Sequence, residues 1–232
     1  MTARSLEKSA ALIVGAGSGI SAALARQLHG RGFGVGLVAR QTGKLAALAE
    51  ETGARLFEAD AADPEAMAAV FEQAERSLGP LAAVVYNASA APSRQSLLDL
   101  DPALVASHLA TSGLGAFLAV QQAARAMVPR GRGTIVLTGA TASVRGFAGS
   151  AAFAMGKFAL RGLAQSAARE LGPLGVHVAH VVIDGRVARG AAPGGAAPMS
   201  AEHIAATYLH LIEQDASAWT FEADLRAWNE RF

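Results

Sequence analysis

The sequence predicts one α/β domain, residues 1–232, with a doubly wound parallel sheet of seven strands and helices on both faces. The first observation is an alternation of short apolar runs with Ala-rich amphipathic stretches, without a long linker. The second is that most of the apolar runs lack a two-residue period, which is typical of parallel strands covered on both faces. The third is a glycine-rich segment, Gly15–Ser21, placed between the first apolar run and the first amphipathic stretch.

The elements follow in chain order. The apolar runs predict seven strands: Ala10–Val14, Gly34–Val38, Arg55–Glu58, Leu81–Tyr86, Gly133–Leu137, Val176–Val182 and Ala218–Asp224. The amphipathic stretches predict five helices: Ser18–Gly30, Thr42–Glu51, Pro64–Leu78, Pro102–Val128 and Ser150–Leu171. The spacing of His203 and His210 also places these two side chains on one helix face. The stretch Gly185–Pro198 is rich in Gly, Pro and Ala and predicts a loop.

Composition narrows the classes of function. The chain is 52% hydrophobic and 17% charged, with a net charge of +1 and no cysteine. This balance favours a compact soluble protein and gives no reason to expect a nucleic-acid or membrane partner. The lack of cysteine suits a cytoplasmic protein without requiring one. The apolar runs are interrupted by Gly, Arg or Gln before they reach the length of a membrane span. The six histidines are scattered, and His177 and His180 point to opposite sides of a strand, so no metal site is predicted.

The glycine-rich segment carries the strongest local signal for a ligand. At a strand-to-helix turn, backbone amides from Gly15 to Ile20 can approach a pyrophosphate, favoured by the helix dipole. The candidate contacts are Gly15, Gly17, Ser18, Gly19 and Ile20. A tight connection between strand and helix is the alternative interpretation, and a phosphate loop of the Gly-Lys-Ser/Thr type is excluded because no such sequence follows.

Several motifs together resemble the short-chain dehydrogenase/reductase family. Phe153-Ala-Met-Gly-Lys157 has the spacing of the family's Tyr-x-x-x-Lys pair, and Gly15-x-x-x-Gly19-x-Ser21 its glycine pattern with the last glycine changed. Asn87-Ala88-Ser89 is similar to the family's Asn-Ala-Gly. The resemblance covers nearly the whole chain and implies a Rossmann-like fold, a nicotinamide cofactor and a small-molecule substrate. It also implies a homodimer or homotetramer built through the helices near 102–128 and 150–171.

The resemblance also assigns further residues to the cofactor. It implies that Asp60 contacts the adenine and that Asn87 and Ala88 steady the sheet beside the cofactor. It places Gly185 and Val187 near the nicotinamide. Asp60 could instead be a cap or a surface carboxylate, and Asn87 a turn-forming residue.

The end of the second strand bears on the choice between NAD and NADP. An acidic residue there would bind the ribose hydroxyls of NAD and repel a 2′-phosphate. The chain has Val38-Ala39-Arg40 instead, and a guanidinium suits a phosphate. NADP is therefore predicted in preference to NAD. The alternative is that Arg40 is a solvated surface charge.

The proton-transfer residues of the family are largely replaced. The family uses an Asn, Ser, Tyr and Lys tetrad, whose positions fall on Ser112, Ala140, Phe153 and Lys157 by spacing. Only Lys157 is retained, and the resemblance implies that it contacts the nicotinamide ribose. Since a lost general acid typically costs about 10²–10⁴ in rate, ordinary ketone reduction is not expected.

The sequence is similar in its details to an atypical subgroup of the family that has Phe at the Tyr position. The segments Gly139–Ser143 and Ala218–Thr220 carry that similarity.

Other groups could supply or orient a proton. Asp184 stands where the family usually has Pro, beside the nicotinamide, and a carboxyl in a partly apolar pocket can act as an acid. Alternatively, Asp184 only caps the following loop through backbone amides. Thr141 and Ser143 could orient a substrate, and His108 lies one helical turn before Ser112.

Three functions are compatible with the sequence. The first is an NADP(H)-dependent oxidoreductase that reduces an imine or an activated alkene or carbonyl compound. The second is a catalytically inactive NADP(H)-binding sensor or structural subunit. The third is a cofactor-independent enzyme that reuses the pocket for isomerisation or carbon–carbon chemistry.

Overall fold

The computed structural model describes residues 9–92, 94–188 and 198–229. Seven strands form one fully parallel sheet in the order β3-β2-β1-β4-β5-β6-β7. The strands are β1 (Ala10–Val14), β2 (Gly34–Ala39), β3 (Arg55–Glu58), β4 (Leu81–Tyr86), β5 (Gly133–Thr138), β6 (Val176–Asp184) and β7 (Glu222–Arg226). The predicted fold class is confirmed, and the strand order reverses between β1 and β4, where a crevice for ligands is expected.

Seven α-helices cover the sheet in the described residues. They are α1 (Ile20–Gly30), α2 (Ala46–Thr52), α3 (Pro64–Leu78), α4 (Pro102–Leu109), α5 (Gly115–Met127), α6 (Ala151–Leu171) and α7 (Ala201–Glu213). The predicted start of α4 is confirmed: the Asp101 carboxylate accepts a hydrogen bond from the Ala103 amide at 2.8 Å, with Pro102 in the first helical position.

Two apolar layers hold the helices to the sheet. One contains Leu12, Val14 and Tyr86 from the strands, packed with residues of α3, α5 and α6. The other contains Ile13 and Leu37 with residues of α1, α2 and α7. Alternate residues of each central strand are buried in opposite layers. The sequences of these strands are therefore continuous apolar runs without polar alternation.

Three predicted elements differ from the structure. The last strand is not Ala218–Asp224 but Glu222–Arg226, because residues 216–218 form a 3-10 turn and Trp219 stacks on the His177 ring. Helix α7 was not among the five predicted helices, although Ser200 caps it by accepting from the His203 amide. The predicted helix Pro102–Val128 contains one π-helical turn at Ala110–Leu114, which separates α4 from α5.

The helical stretch Pro102–Arg130 is long and apolar enough to cross a membrane by length and composition alone, with a mean hydropathy of 1.6. The expectation that every apolar run is too short is wrong by this measure, since the interrupting Gly, Gln and Arg residues barely lower the mean. In this fold 39% of the apolar window is buried inside the protein, and α5 supplies part of one apolar layer. The same composition is found in core helices of globular proteins.

Candidate cofactor and active site

The glycine turn after β1 is shaped by contact with the chain that follows β4. Gly15 has a φ of +83°, and a Cβ there would lie 2.3 Å from the Ala88 amide nitrogen. The amides of Gly15 and Ala16 both donate to the Val38 carbonyl at 2.9 Å. Only glycine fits this position, because both the backbone conformation and the approach of Ala88 exclude a side chain.

Gly17 and Gly19 behave differently, because a Cβ at either position would meet no atom within 4 Å. The turn therefore leaves open space in front of the first residues of α1. This is the arrangement that a pyrophosphate needs, since its oxygens must approach backbone amides at the start of a helix. The turn fits a dinucleotide.

Ser21, which replaces the last glycine of the pattern, has a defined role. Its hydroxyl donates to the Gly15 carbonyl at 3.4 Å and accepts from the Asn87 side-chain amide at 2.8 Å. The Asn87 backbone amide also donates to the Val14 carbonyl at 2.8 Å. These bonds tie the turn after β1 to the chain after β4.

A cavity of about 750 Å³ lies over this turn, at the carboxyl ends of β1, β2 and β4. It brings together seven of the predicted cofactor residues: Gly15, Gly17, Ser18, Arg40, Asp60, Asn87 and Ala88. Five others do not line it, namely Gly19, Ile20, Lys157, Gly185 and Val187. Part of the predicted loop Gly185–Pro198 lies outside the described residues, at positions 189–197.

Two cations line the part of the cavity beside β2. Arg40 was predicted there, and Lys44, in the turn before α2, was missed by sequence analysis. The sequence could have indicated Lys44 as a second cation of this site, because it lies only four residues beyond Arg40. Asp60 lines the same cavity, and one of its oxygens accepts from the Ala62 amide at 2.9 Å. The cap interpretation of Asp60 is thus compatible with its place in the cavity.

Lys157 is buried at the end of β5. Its side chain is 2% exposed, and Nζ donates to the Thr138 carbonyl at 3.0 Å. Nζ also lies 5.8 Å from the centre of the Phe153 ring. Burial lowers the pKa of the Lys157 ammonium from its ordinary 10.5 to about 8.

The groups around Lys157 include no hydroxyl at the two positions where the tetrad would place one. Phe153 presents a hydrocarbon ring, and Ala140 a methyl group. Ser112, in the π-helical turn, is fully buried, and its Oγ has no hydrogen-bond partner among the described residues. The arrangement can hold a cation near a bound ribose but has no tyrosine to move a proton.

Among the described residues, the contacts of the Asp184 carboxylate are made by side chains. Thr141 Oγ1 donates to Asp184 Oδ1 at 2.5 Å, and Arg226 Nη2 lies 3.4 Å from Asp184 Oδ2. The geometry supports an anchoring role that joins the ends of β6 and β7 to the turn after β5.

The hydroxyls of Thr141 and Ser143, which were expected near a substrate, both form hydrogen bonds within the protein. Thr141 donates to Asp184, and the fully buried Ser143 accepts from the Ala140 amide at 3.1 Å. His108, by contrast, does reach the site. Its ring is fully buried and meets the Phe153 ring edge-on, with 5.8 Å between ring centres.

No group of three or more His, Asp or Glu side chains that could hold a metal ion lies within the described part of the chain.

Comparison with known proteins identifies the family. The model of the short-chain dehydrogenase family matches residues 9–188 of this sequence. The chain belongs to the short-chain dehydrogenase family. That Lys157 and Phe153 occupy the positions of the family's lysine and tyrosine stays a prediction from the spacing of the motif.

The similar proteins include a synthase and a dehydrogenase. A (+)-cis,cis-nepetalactol synthase of Nepeta racemosa is 32% identical over 184 residues, which cover 77% of this chain and 68% of that protein. A secoisolariciresinol dehydrogenase of Forsythia intermedia is 28% identical over 180 residues, covering 76% of this chain and 65% of the relative.

Solved structures match over nearly the full length. A short-chain dehydrogenase from Rhodopseudomonas palustris has a TM-score of 0.85 and 33% identity, with 96% of this chain and all of that chain covered. A metagenomic short-chain oxidoreductase in complex with NADP has a TM-score of 0.81 and 27% identity, with 94% and 96% of the two chains covered.

Proposed function

We propose that this protein binds NADP(H) and is an atypical short-chain oxidoreductase that reduces an imine or an activated alkene or carbonyl compound. The proposal rests on one observation, which is that hydroxyl groups are missing beside a cofactor site that is otherwise kept. The glycine turn and Lys157 are kept and fit a dinucleotide, whereas positions 153 and 140 hold no hydroxyl. A substrate that is already protonated, or strongly polarised, needs less help from a tyrosine acid.

Different residues of this chain would bind different parts of the dinucleotide. The amides from Gly15 to Ile20 hold the pyrophosphate, Arg40 and Lys44 hold a 2′-phosphate, and Asp60 contacts the adenine. Lys157 holds the nicotinamide ribose from the end of β5. When bound, the nicotinamide supplies the hydride. Phe153 covers the substrate side of Lys157 with an apolar ring, which favours a substrate that is apolar around its reacting atom.

The choice of NADP over NAD is testable at the two cations. Arg40 and Lys44 line the cavity beside the end of β2, where a 2′-phosphate would lie. We expect the double variant Arg40→Gln, Lys44→Gln to lose about tenfold or more in NADPH affinity and little in NADH affinity, because each charge-assisted bond is worth roughly 1.5–3 kcal/mol.

Isothermal titration with both nucleotides measures this difference. Arg55→Gln is the matched control, since Arg55 is an exposed arginine on the neighbouring strand that does not line the cavity. Equal losses for NADPH and NADH in the double variant would contradict the preference. Absence of NADPH binding to the wild type at high micromolar concentration would contradict the proposed function itself.

A second candidate is chemistry without net hydride transfer. It is favoured by the missing hydroxyls at positions 153 and 140 together with similarity to relatives named as nepetalactol synthases. A panel of imines, enones and ketones with NADPH separates the two, because only the oxidoreductase consumes NADPH. A catalytically silent NADP(H) sensor would bind the nucleotide and convert no member of the panel.

We also propose that the protein is a homo-oligomer through the surface of α5 and α6. Leu114, Phe117, Met155 and Phe158 are each more than 40% exposed, and they lie on this adjacent pair of helices and the turn that precedes α5. Exposed apolar side chains concentrated on one surface are typical of a protein interface. A second copy of this chain is the occupant that the family resemblance favours.

A further inference from the structure

The π-helical turn between α4 and α5 has a shifted pattern of backbone hydrogen bonds. The Gly115 amide donates to the Ala110 carbonyl, which lies five residues earlier. In an α-helix the same amide would donate to the Thr111 carbonyl, which lies four residues earlier. The shift therefore takes from the Thr111 carbonyl the donor that an α-helix would provide, and this carbonyl needs another partner.

The Tyr86 side chain provides that partner from the sheet. Tyr86 is the last residue of β4, and its side chain is fully buried. Its hydroxyl donates a hydrogen bond to the Thr111 carbonyl. Burial first, and the Asp60 charge second, raise the pKa of the phenol, so the hydroxyl keeps its proton and is a donor at physiological pH. A phenylalanine would fill the same space in the core but could not make this bond.

Gly115 leaves the space that the Tyr86 hydroxyl occupies. A Cβ at Gly115 would overlap the Tyr86 hydroxyl oxygen, and it would lie 3.0 Å from the Ala61 carbonyl oxygen. Gly115 is buried in the first turn of α5, so an added methyl group could not turn towards solvent. The tyrosine hydroxyl, the glycine and the shifted turn therefore fit together by close packing.

These packed groups border the cofactor cavity. Thr111 from the π-helical turn, Ala61 from the segment after β3, and Asn87, the residue after Tyr86, all line the cavity. The bond from Tyr86 to Thr111 thus connects the wall formed by the π-helical turn to the wall at the end of β4. A displacement of Thr111 would change the space that is open to a dinucleotide.

We propose that Tyr86 is a positioning residue, whose hydroxyl fixes the π-helical turn and thereby sets the wall of the cofactor cavity at Thr111. The inference rests on the proposed function, because NADP(H) is the ligand proposed for this cavity. Without the hydroxyl, the Thr111 carbonyl would lose this partner, and the turn would shift so that water in the cavity could replace it.

Amide hydrogen exchange in Tyr86→Phe, without nucleotide, tests whether the hydroxyl holds the turn. We expect exchange at the Gly115 amide to accelerate at least about tenfold more than at the amides of β5, which report any loss of global stability. Tyr208→Phe is the matched control, because Tyr208 is also fully buried and its hydroxyl donates to Thr138 Oγ1 at 3.0 Å. In that variant Gly115 and β5 should change alike. Equal changes at Gly115 and β5 in Tyr86→Phe would overturn the proposal.

Isothermal titration with NADPH tests whether the turn sets the cavity wall. We expect Tyr86→Phe to weaken NADPH binding about tenfold, which is the effect of one lost buried hydrogen bond. With a substrate from the panel, the KM for NADPH should rise by a similar factor. The kcat at saturating NADPH should stay unchanged, because the hydroxyl touches no reacting atom. An unchanged NADPH affinity, or a lower kcat with the same KM, would contradict a positioning role.

Gly115→Ala alters the same contact from the other side. Its methyl group would displace the Tyr86 hydroxyl, so NADPH binding should weaken about as much as in Tyr86→Phe. In the double variant the oxygen is already absent, so Gly115→Ala should weaken binding little further. Fully additive losses would mean that the two residues act separately, against the proposal. If the wild type fails to bind NADPH while the exchange results hold, the proposed function fails and the anchoring of the turn by Tyr86 stands.

Discussion

At the scale of single residues, the site is defined by what surrounds Lys157. The ammonium keeps its bond to the Thr138 carbonyl, and the ring of Phe153 lies beside it. A tyrosine would place a hydroxyl at the edge of the ring, where the positive charge of Lys157 would stabilise the phenolate and lower the tyrosine pKa. On the proposed assignment of these two positions, the site therefore lacks one oxygen atom at position 153 and keeps the supporting lysine.

Phe153→Tyr should create ketone reductase activity. We expect an increase of about 10²–10⁴ in the rate of NADPH oxidation with a simple ketone, because a positioned general acid contributes that much. The double variant Phe153→Tyr, Ala140→Ser should exceed the single one, since the introduced serine hydroxyl would orient the substrate oxygen. Absorbance at the nicotinamide band measures the rate, and Phe153→Leu is the control without a hydroxyl. Loss of NADPH binding in Phe153→Tyr would contradict the view that the cofactor site is intact.

At the scale of elements, the turn between β1 and α1 separates two uses of glycine. Gly15 has positive φ and touches Ala88, so it is required by the fold, whereas a Cβ at Gly17 would face open space and the fold does not require glycine there. This distinction could not be predicted from the sequence, where the two glycines look equivalent. It depends on the chain after β4, which lies more than seventy residues away along the sequence.

The two glycines give a matched pair of variants. Gly15→Ala should destabilise the protein by more than about 2 kcal/mol, from backbone strain and a clash with the chain after β4. Gly17→Ala should leave the free energy of unfolding nearly unchanged but weaken NADPH binding at least tenfold, because its methyl group would occupy the space in front of α1. Urea unfolding and calorimetric titration measure the two effects. Unchanged binding in Gly17→Ala would show that the turn is only a tight connection.

Local sequence was sufficient to predict some elements of the fold and not others. Strands β1 to β6 lie within two residues of their predicted ends, because their buried apolar runs are bounded by Gly, Pro or charged residues. Strand β7 is half-buried and starts later than predicted, because Trp219 precedes the strand and stacks on His177. The contact of His108 with Phe153 could not be predicted from the sequence, because it depends on how closely α4 packs on α6 at Gly156. Sequence spacing placed each residue on its helix but not the two helices against each other.

At the scale of the whole molecule, the apolar surface on α5 and α6 predicts assembly. Phe117→Glu and Phe158→Glu should each shift the protein to monomer in size-exclusion chromatography with light scattering, because a charge would be buried in the interface. Leu174→Glu is the control, since Leu174 is as exposed, at 47%, but lies outside this helix pair. A wild-type protein that is monomeric at all concentrations would contradict the proposal.

The pH dependence of stability should report the burial of Lys157. Its pKa falls from 10.5 in the unfolded chain to about 8 in the folded protein, so between these values the unfolded state binds more protons. Stability contributed by this group therefore rises with pH from about 8 to 10.5, and its burial is most costly below pH 8. Tyr86 and Tyr208 act in the opposite sense above about pH 10, since burial raises their pKa values.

Comparison with Lys157→Met isolates the lysine, because both tyrosines are common to the two proteins. We expect the variant to be more stable than the wild type at pH 7, by up to about 3 kcal/mol since a tenfold change in protonation is worth about 1.4 kcal/mol. The lost bond to the Thr138 carbonyl reduces this gain. The difference should shrink steadily as pH rises from 8 towards 10.5, as measured by urea unfolding at each pH. A difference that is constant over this range would mean that Lys157 is fully solvated in the folded protein, and that the site around Phe153 is open to water.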